Sequence, residues 1–158
     1  MCHGDQRRTG WSLAGPWRIP RAIESAVALR PRSTNRPEIP WTSQFDSGVR
    51  RFYAETTQAL NNDSPVLAGV GLRALVETAC KEKKALGKEL YAKINDLAAK
   101  QMLTLSGADI LHKVRTLGND AAHDAKPRTP RQLSRAMSVV EHMLKDVYIL
   151  PKLVEHGF

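Results

Sequence analysis

Seven apolar side chains late in the chain, Leu133, Ala136, Met137, Val140, Leu144, Val147 and Tyr148, recur at steps of one, three and four residues. That spacing lines one face of an α-helix. The stripe is the longest clean one in the sequence and predicts the central packing helix. Thr129-Pro130 opens it, with a capping hydroxyl followed by a proline at the first helical position. No comparable segment alternates apolar and polar residues, and no Asn-Gly hairpin signal occurs. The chain must therefore bury its apolar surface helix against helix.

Four further helical stretches precede this one. The first starts near Ser43, carries Val49, Phe52, Tyr53, Thr56 and Leu60, and stops at Asn61-Asn62-Asp63, a turn-favouring cluster. Ser64-Pro65 starts the second, which places Leu67, Val70, Ala74, Leu75 and Thr78 on one side and ends near Leu86-Gly87 after a lysine-rich last turn. Its small residues Ala68, Gly69 and Gly71 permit close helix contact. The third shows Leu90, Ile94, Leu97 and Ala98, and the fourth runs through residues 110–123. The expected fold is all-α, an antiparallel four- to five-helix bundle over residues 43–158.

Residues 1–42 differ in kind. They hold five of the nine prolines and seven arginines but no lysine, and show no sustained periodicity. They read as a basic, disordered tail. Against Asp5, Glu24 and Glu38, those arginines supply half of the formal charge of +8. A chain this basic favours polyanionic partners through phosphate neutralisation. Trp11 and Trp17 interleave with the arginines, a composition suited to stacking on bases. With only Cys2 and Cys80 there is no disulfide framework, and Cys80 reads as a small core residue. No apolar run approaches the length of a membrane span and no signal pattern is evident. A cytoplasmic location without membrane association is expected.

The chemistry-bearing residues gather between Arg115 and His123. Arg115, Asn119 and His123 follow at i, i+4 and i+8, with His112 in the same stripe, while Ile110, Val114, Leu117 and Ala121 are expected to face the core. A histidine exchanges protons near neutral pH, an arginine holds a phosphate bidentately, and an asparagine orients a ribose or phosphate oxygen. Those are the parts needed for attack of a ribose 2′-hydroxyl on the adjacent phosphate. Gly118 leaves two local geometries open, a continuous helix or a break capped by Asn119. Asp120 and Asp124 flank the histidine, at a spacing too generic for a metal site. On the second helix Arg73 and Glu77 stand at i, i+4, placed either to pair with each other or to support Arg115 and His123. Neither a metal nor a cofactor is expected.

Two segments carry a resemblance: GVGLRALVETAC at 69–80 and LHKVRTLGNDAAHD at 111–124. Together they resemble the bacterial family known as domain of unknown function 4145. There an Arg-Ala-x-x-Glu helix is followed some forty residues on by Arg-x-x-Gly-Asn-x-x-x-His and then a last helix. That family in turn resembles the HEPN (higher eukaryotes and prokaryotes nucleotide-binding) superfamily of helical bundles, commonly dimeric, many of them metal-independent RNases in defence systems. The superfamily motif sets an Arg directly before the polar residue. Here Asn119 and His123 match, but Gly118 stands in the place of that Arg.

The resemblance implies a homodimeric, non-catalytic module linked to a nucleic acid or a nucleotide, in a bacterial defence or mobile-element context. Binding would use Arg73, Glu77 and Asp120. The alternative it implies is a metal-independent RNase with His123 as general acid/base, Arg115 as phosphate clamp and Asn119 as orienter, acting on RNA or another nucleic acid.

Overall fold

The structure is a computed structural model that describes residues 36–124 and 128–155. It is all-α, and no strand occurs among the described residues. A short 3₁₀ turn at Thr42–Gln44 leads into α1 (Ser47–Asn61), α2 (Pro65–Glu82), α3 (Leu90–Ala99), α4 (Leu105–Asp124) and α5 (Pro130–Leu144). The last of these runs on through a π-helical stretch, Lys145–Ile149, into the short α6 (Leu150–Glu155).

Each boundary has a local cause. Thr129 Oγ1 accepts from the Gln132 N–H while Gln132 Oε1 accepts from the Thr129 N–H, so the expected start of α5 carries a complete capping box. Pro65 occupies the first turn of α2 as expected, although the Ser64 side chain makes no capping bond. The other end of α2 comes earlier than Leu86-Gly87. Lys84 takes a left-handed conformation (φ 53°), and the Ala85 N–H reaches back to the Cys80 carbonyl at 2.9 Å. That six-to-one bond closes the helix at Glu82. Asp63 and Gln101 end α1 and α3 in the same way.

The helix at the centre is α2, which packs against α1, α3, α4 and α5. This corrects the expectation for α5. It also corrects the expected face of α2: Leu67 and Val70 are exposed, and the buried set is Ala68, Gly69, Leu72, Leu75, Val76, Ala79 and Cys80. A helix surrounded by neighbours buries apolar residues over much of its circumference and shows no sharp stripe. α5 shows the sharpest stripe because its far side meets water.

Glycines fix the register of α2 with its neighbours. A Cβ at Gly71 would meet the Thr56 side chain and one at Gly48 the Thr78 side chain, so α1 and α2 run antiparallel. Gly69 faces Leu117 and Ala121 while Arg73 faces Gly118, so α2 and α4 are antiparallel too.

Residues 1–35 of the expected tail lie outside the described residues. Its last seven do not hang free. Ile39 and Trp41 pack against the core, and Arg36 bonds to Glu141, Ser134 and Ser138 of α5. Packing therefore begins N-terminal to residue 43. No helix among the described residues is long and apolar enough to cross a membrane.

Candidate functional site

Helix α4 runs unbroken through Gly118, which settles the local geometry that the glycine left open. Its buried stripe is Ala108, Leu111, Val114, Gly118 and Ala121, whereas Ile110 is exposed, a rotation of the expected face by about one residue. Gly118 lies at a close contact of α4 with α2. A Cβ there would sit 2.4 Å from the Arg73 Cβ and 3.0 Å from the Gly69 carbonyl oxygen. The missing side chain leaves room for Arg73, whose Cδ passes 3.3 Å from the same point. So the space over Gly118 is filled from the neighbouring helix by an arginine.

From there Arg73 reaches Glu77, Nη1 to Oε2 at 3.8 Å. The same carboxylate takes Lys81 Nζ at 3.0 Å and Lys93 Nζ of α3 at 3.5 Å. Three cations thus share one anion. The Lys81 hydrogen bond, with the charges of Lys93 and Arg73 behind it, holds Glu77 below the ordinary carboxylate range. Lys93 is itself buried, 8 % exposed, where an excess of positive charge is costly. The antiparallel register sets Arg115 one turn before Gly118, near the level of Glu77. The Nε atoms of Arg73 and Arg115 are buried and have no hydrogen-bond partner.

A second group adjoins the first. The His112 ring of α4 stacks on Tyr91 of α3 at 4.3 Å between centroids, with 23° between the planes. Its Nε2 donates to Asn95 Oδ1 at 2.9 Å. Arg115 Cζ lies 5.7 Å from the Tyr91 ring centroid. Burial, then the charge of Arg115, lowers the His112 pKa, and Asp109 opposes the shift. Beside the ring a shallow groove of about 690 Å³ runs along α4 to the start of α5, lined by His112, Lys113, Thr116, Arg128 and Gln132 among others.

The remaining expected site residues do not join this cluster. Asp120 forms an ion pair with Arg128. Asn119 is partly buried and His123 exposed. On an unbroken helix, eight residues separate Arg115 from His123 by ~12 Å along the axis and by about 80° around it. Arg115 turns toward α3, while His123 sits in the last turn of α4. Among the described residues no group of three His, Cys, Asp or Glu side chains is placed to hold a metal.

Sequence reasoning missed Tyr91, Lys93, Asn95 and Arg128. For Lys93 a signal exists: it follows Leu90 by three residues and adjoins Ile94, so a lysine stands on the apolar stripe of α3.

The lowered His112 pKa has a consequence for stability. A histidine less basic folded than unfolded costs nothing above pH 6.5, and destabilises progressively as pH falls below it, because the unfolded chain binds the proton more readily. The melting temperature is expected to fall between pH 7 and pH 5.5, and His112→Asn to flatten that slope. The loss of Glu77 stability comes lower, below the ordinary glutamate value of 4.5. Equal slopes for wild type and variant in melts across this range would refute the assignment.

The family described as "Domain of unknown function (DUF4145)" matches residues 54–156, which span α2, α3, α4 and α5 entirely. No curated protein and no solved structure matches the chain.

Proposed function

The chain belongs to the Domain of unknown function (DUF4145) family, and we propose that it is a cytoplasmic, homodimeric, non-catalytic module that binds the phosphates of a nucleic acid or nucleotide. The observation that carries this reading is the cation excess at the junction of α2, α3 and α4. Arg73, Lys81 and Lys93 have one carboxylate, Glu77, between them. A phosphate set against this group relieves the repulsion and adds acceptors for its lysine and arginine donors. The formal charge of +8 adds long-range attraction of the same sign.

The dimer rests on the exposed apolar side chains of α2, Leu67 at 66 % and Val70 at 38 %. The bacterial defence or mobile-element setting rests on the resemblance to the HEPN superfamily.

Fluorescence anisotropy with a labelled single-stranded RNA at low salt tests the binding. Binding should weaken steeply as salt rises. The double variant Arg73→Gln, Lys93→Gln should bind at least about ten-fold more weakly, since charged hydrogen bonds contribute ~1.5–3 kcal/mol each. Circular dichroism of the variant checks that the fold is retained. Absence of binding, or binding that ignores both substitutions, overturns the reading. RNA cleavage in EDTA by the wild type but not by His123→Ala would replace it with the RNase alternative.

A further inference from the structure

The side chain that best fits no structural role in this region is Tyr91. It is 53 % exposed, on a helix whose own apolar stripe is Leu90, Ile94 and Leu97. Its ring is nonetheless held in place. His112 stacks against it, and His112 is in turn anchored by Asn95. His112 and Arg115, three residues apart on α4, both reach the ring. About half of the Tyr91 surface remains open to solvent.

An aromatic ring held in place by its neighbours and still half exposed is what an unpaired base stacks on. Here it stands 5.7 Å from the Arg115 guanidinium carbon, and Arg115 lies near the level of Glu77 and the cations that share it. We propose that Tyr91, backed by His112, is the stacking platform for a nucleobase whose adjoining phosphate is held by the Arg73, Lys93 and Arg115 group. The inference rests on the phosphate-binding reading above and names its ligand class as a single strand. A base in a duplex is already stacked on its neighbours and cannot lie on Tyr91 without being extruded. The groove lined by His112, Lys113 and Arg128 gives the strand a continuation with cations along it.

The test compares labelled oligoadenylate RNA with an abasic oligomer of the same length and charge, for the wild type, Tyr91→Leu and Tyr91→Trp. Wild type should bind oligoadenylate roughly ten-fold more tightly than the abasic strand. Tyr91→Leu should bring the two to the same affinity, and Tyr91→Trp should keep the preference. A half-exposed tyrosine contributes little to the core, so all three proteins are expected to melt alike. If the wild type binds both strands equally and Tyr91→Leu changes nothing, while Arg73→Gln with Lys93→Gln still weakens binding, stacking is overturned and phosphate binding stands. If no strand binds, both readings fall.

Discussion

Replacing Gly118 with leucine is expected to lower the melting temperature by on the order of 10 °C, one of the two largest effects foreseen for a single substitution in this chain. Two of the atoms that a side chain would strike have no freedom to move away. The Arg73 Cβ at 2.4 Å is fixed to the α2 backbone, and the Gly69 carbonyl oxygen at 3.0 Å is the backbone itself. The helices must separate, and overpacking of this kind costs about 1–3 kcal/mol or more.

Alanine tests the same contact more gently. It recovers up to ~1 kcal/mol of helix propensity, so Gly118→Ala should lose less than Gly118→Leu while still losing. Combining Gly118→Ala with Arg73→Gly, which removes the Cβ it strikes, should cost less than the two single changes added together. Thermal melts of the four proteins decide the matter. A Gly118→Leu protein that melts with the wild type would show that the helices do not meet there.

This contact also explains how far the site was legible in the sequence. Gly69 and Gly118 look like weak points in two helices when each is read alone, and Gly118 looks like a possible helix end. Only the pairing of α2 with α4 reveals that they meet, and pairing is a long-range property. Arg73, Glu77 and Arg115 were legible as residue types at helical spacing. That Glu77 is shared with Lys93 was not, because the contact joins α2 to α3 across a turn. The end of α1 was legible in the Asn61-Asn62-Asp63 cluster and that of α2 was not, although α1, α2 and α3 end alike. All three close on left-handed residues that are not glycine, Asp63, Lys84 and Gln101, so the glycine rule misplaced the end of α2 by a turn. The all-α class and the start of α5 were legible because periodicity and capping are local.

The other large effect is expected at Glu141, where the segment before α1 is tied to the bundle. Glu141 Oε1 accepts from the buried Tyr53 hydroxyl at 2.9 Å and from Arg36 Nε at 3.0 Å, and Oε2 pairs with Arg36 Nη2. Both charged side chains are mostly buried, 16 % and 14 % exposed. Burial, with Glu141 behind it, pushes the Tyr53 hydroxyl up to about 12, so it remains a donor at any working pH. Arg36 adds bonds to Ser134 and Ser138, and its main chain exchanges two hydrogen bonds with the Asn61 side chain at the end of α1. One carboxylate therefore holds together α1, α5 and the entering chain. Glu141→Ala leaves a guanidinium and a phenol largely out of water without their acceptor. Removing one member of a buried pair costs about 3–5 kcal/mol, less here in proportion to the residual exposure, which still predicts a fall of roughly 10 °C. Arg36→Leu combined with Glu141→Leu should cost less than Glu141→Ala alone, because an apolar pair leaves no charge stranded. If instead the double variant is the least stable of the set, the pair contributes net attraction that its burial does not cancel, and the clamp is electrostatic in origin.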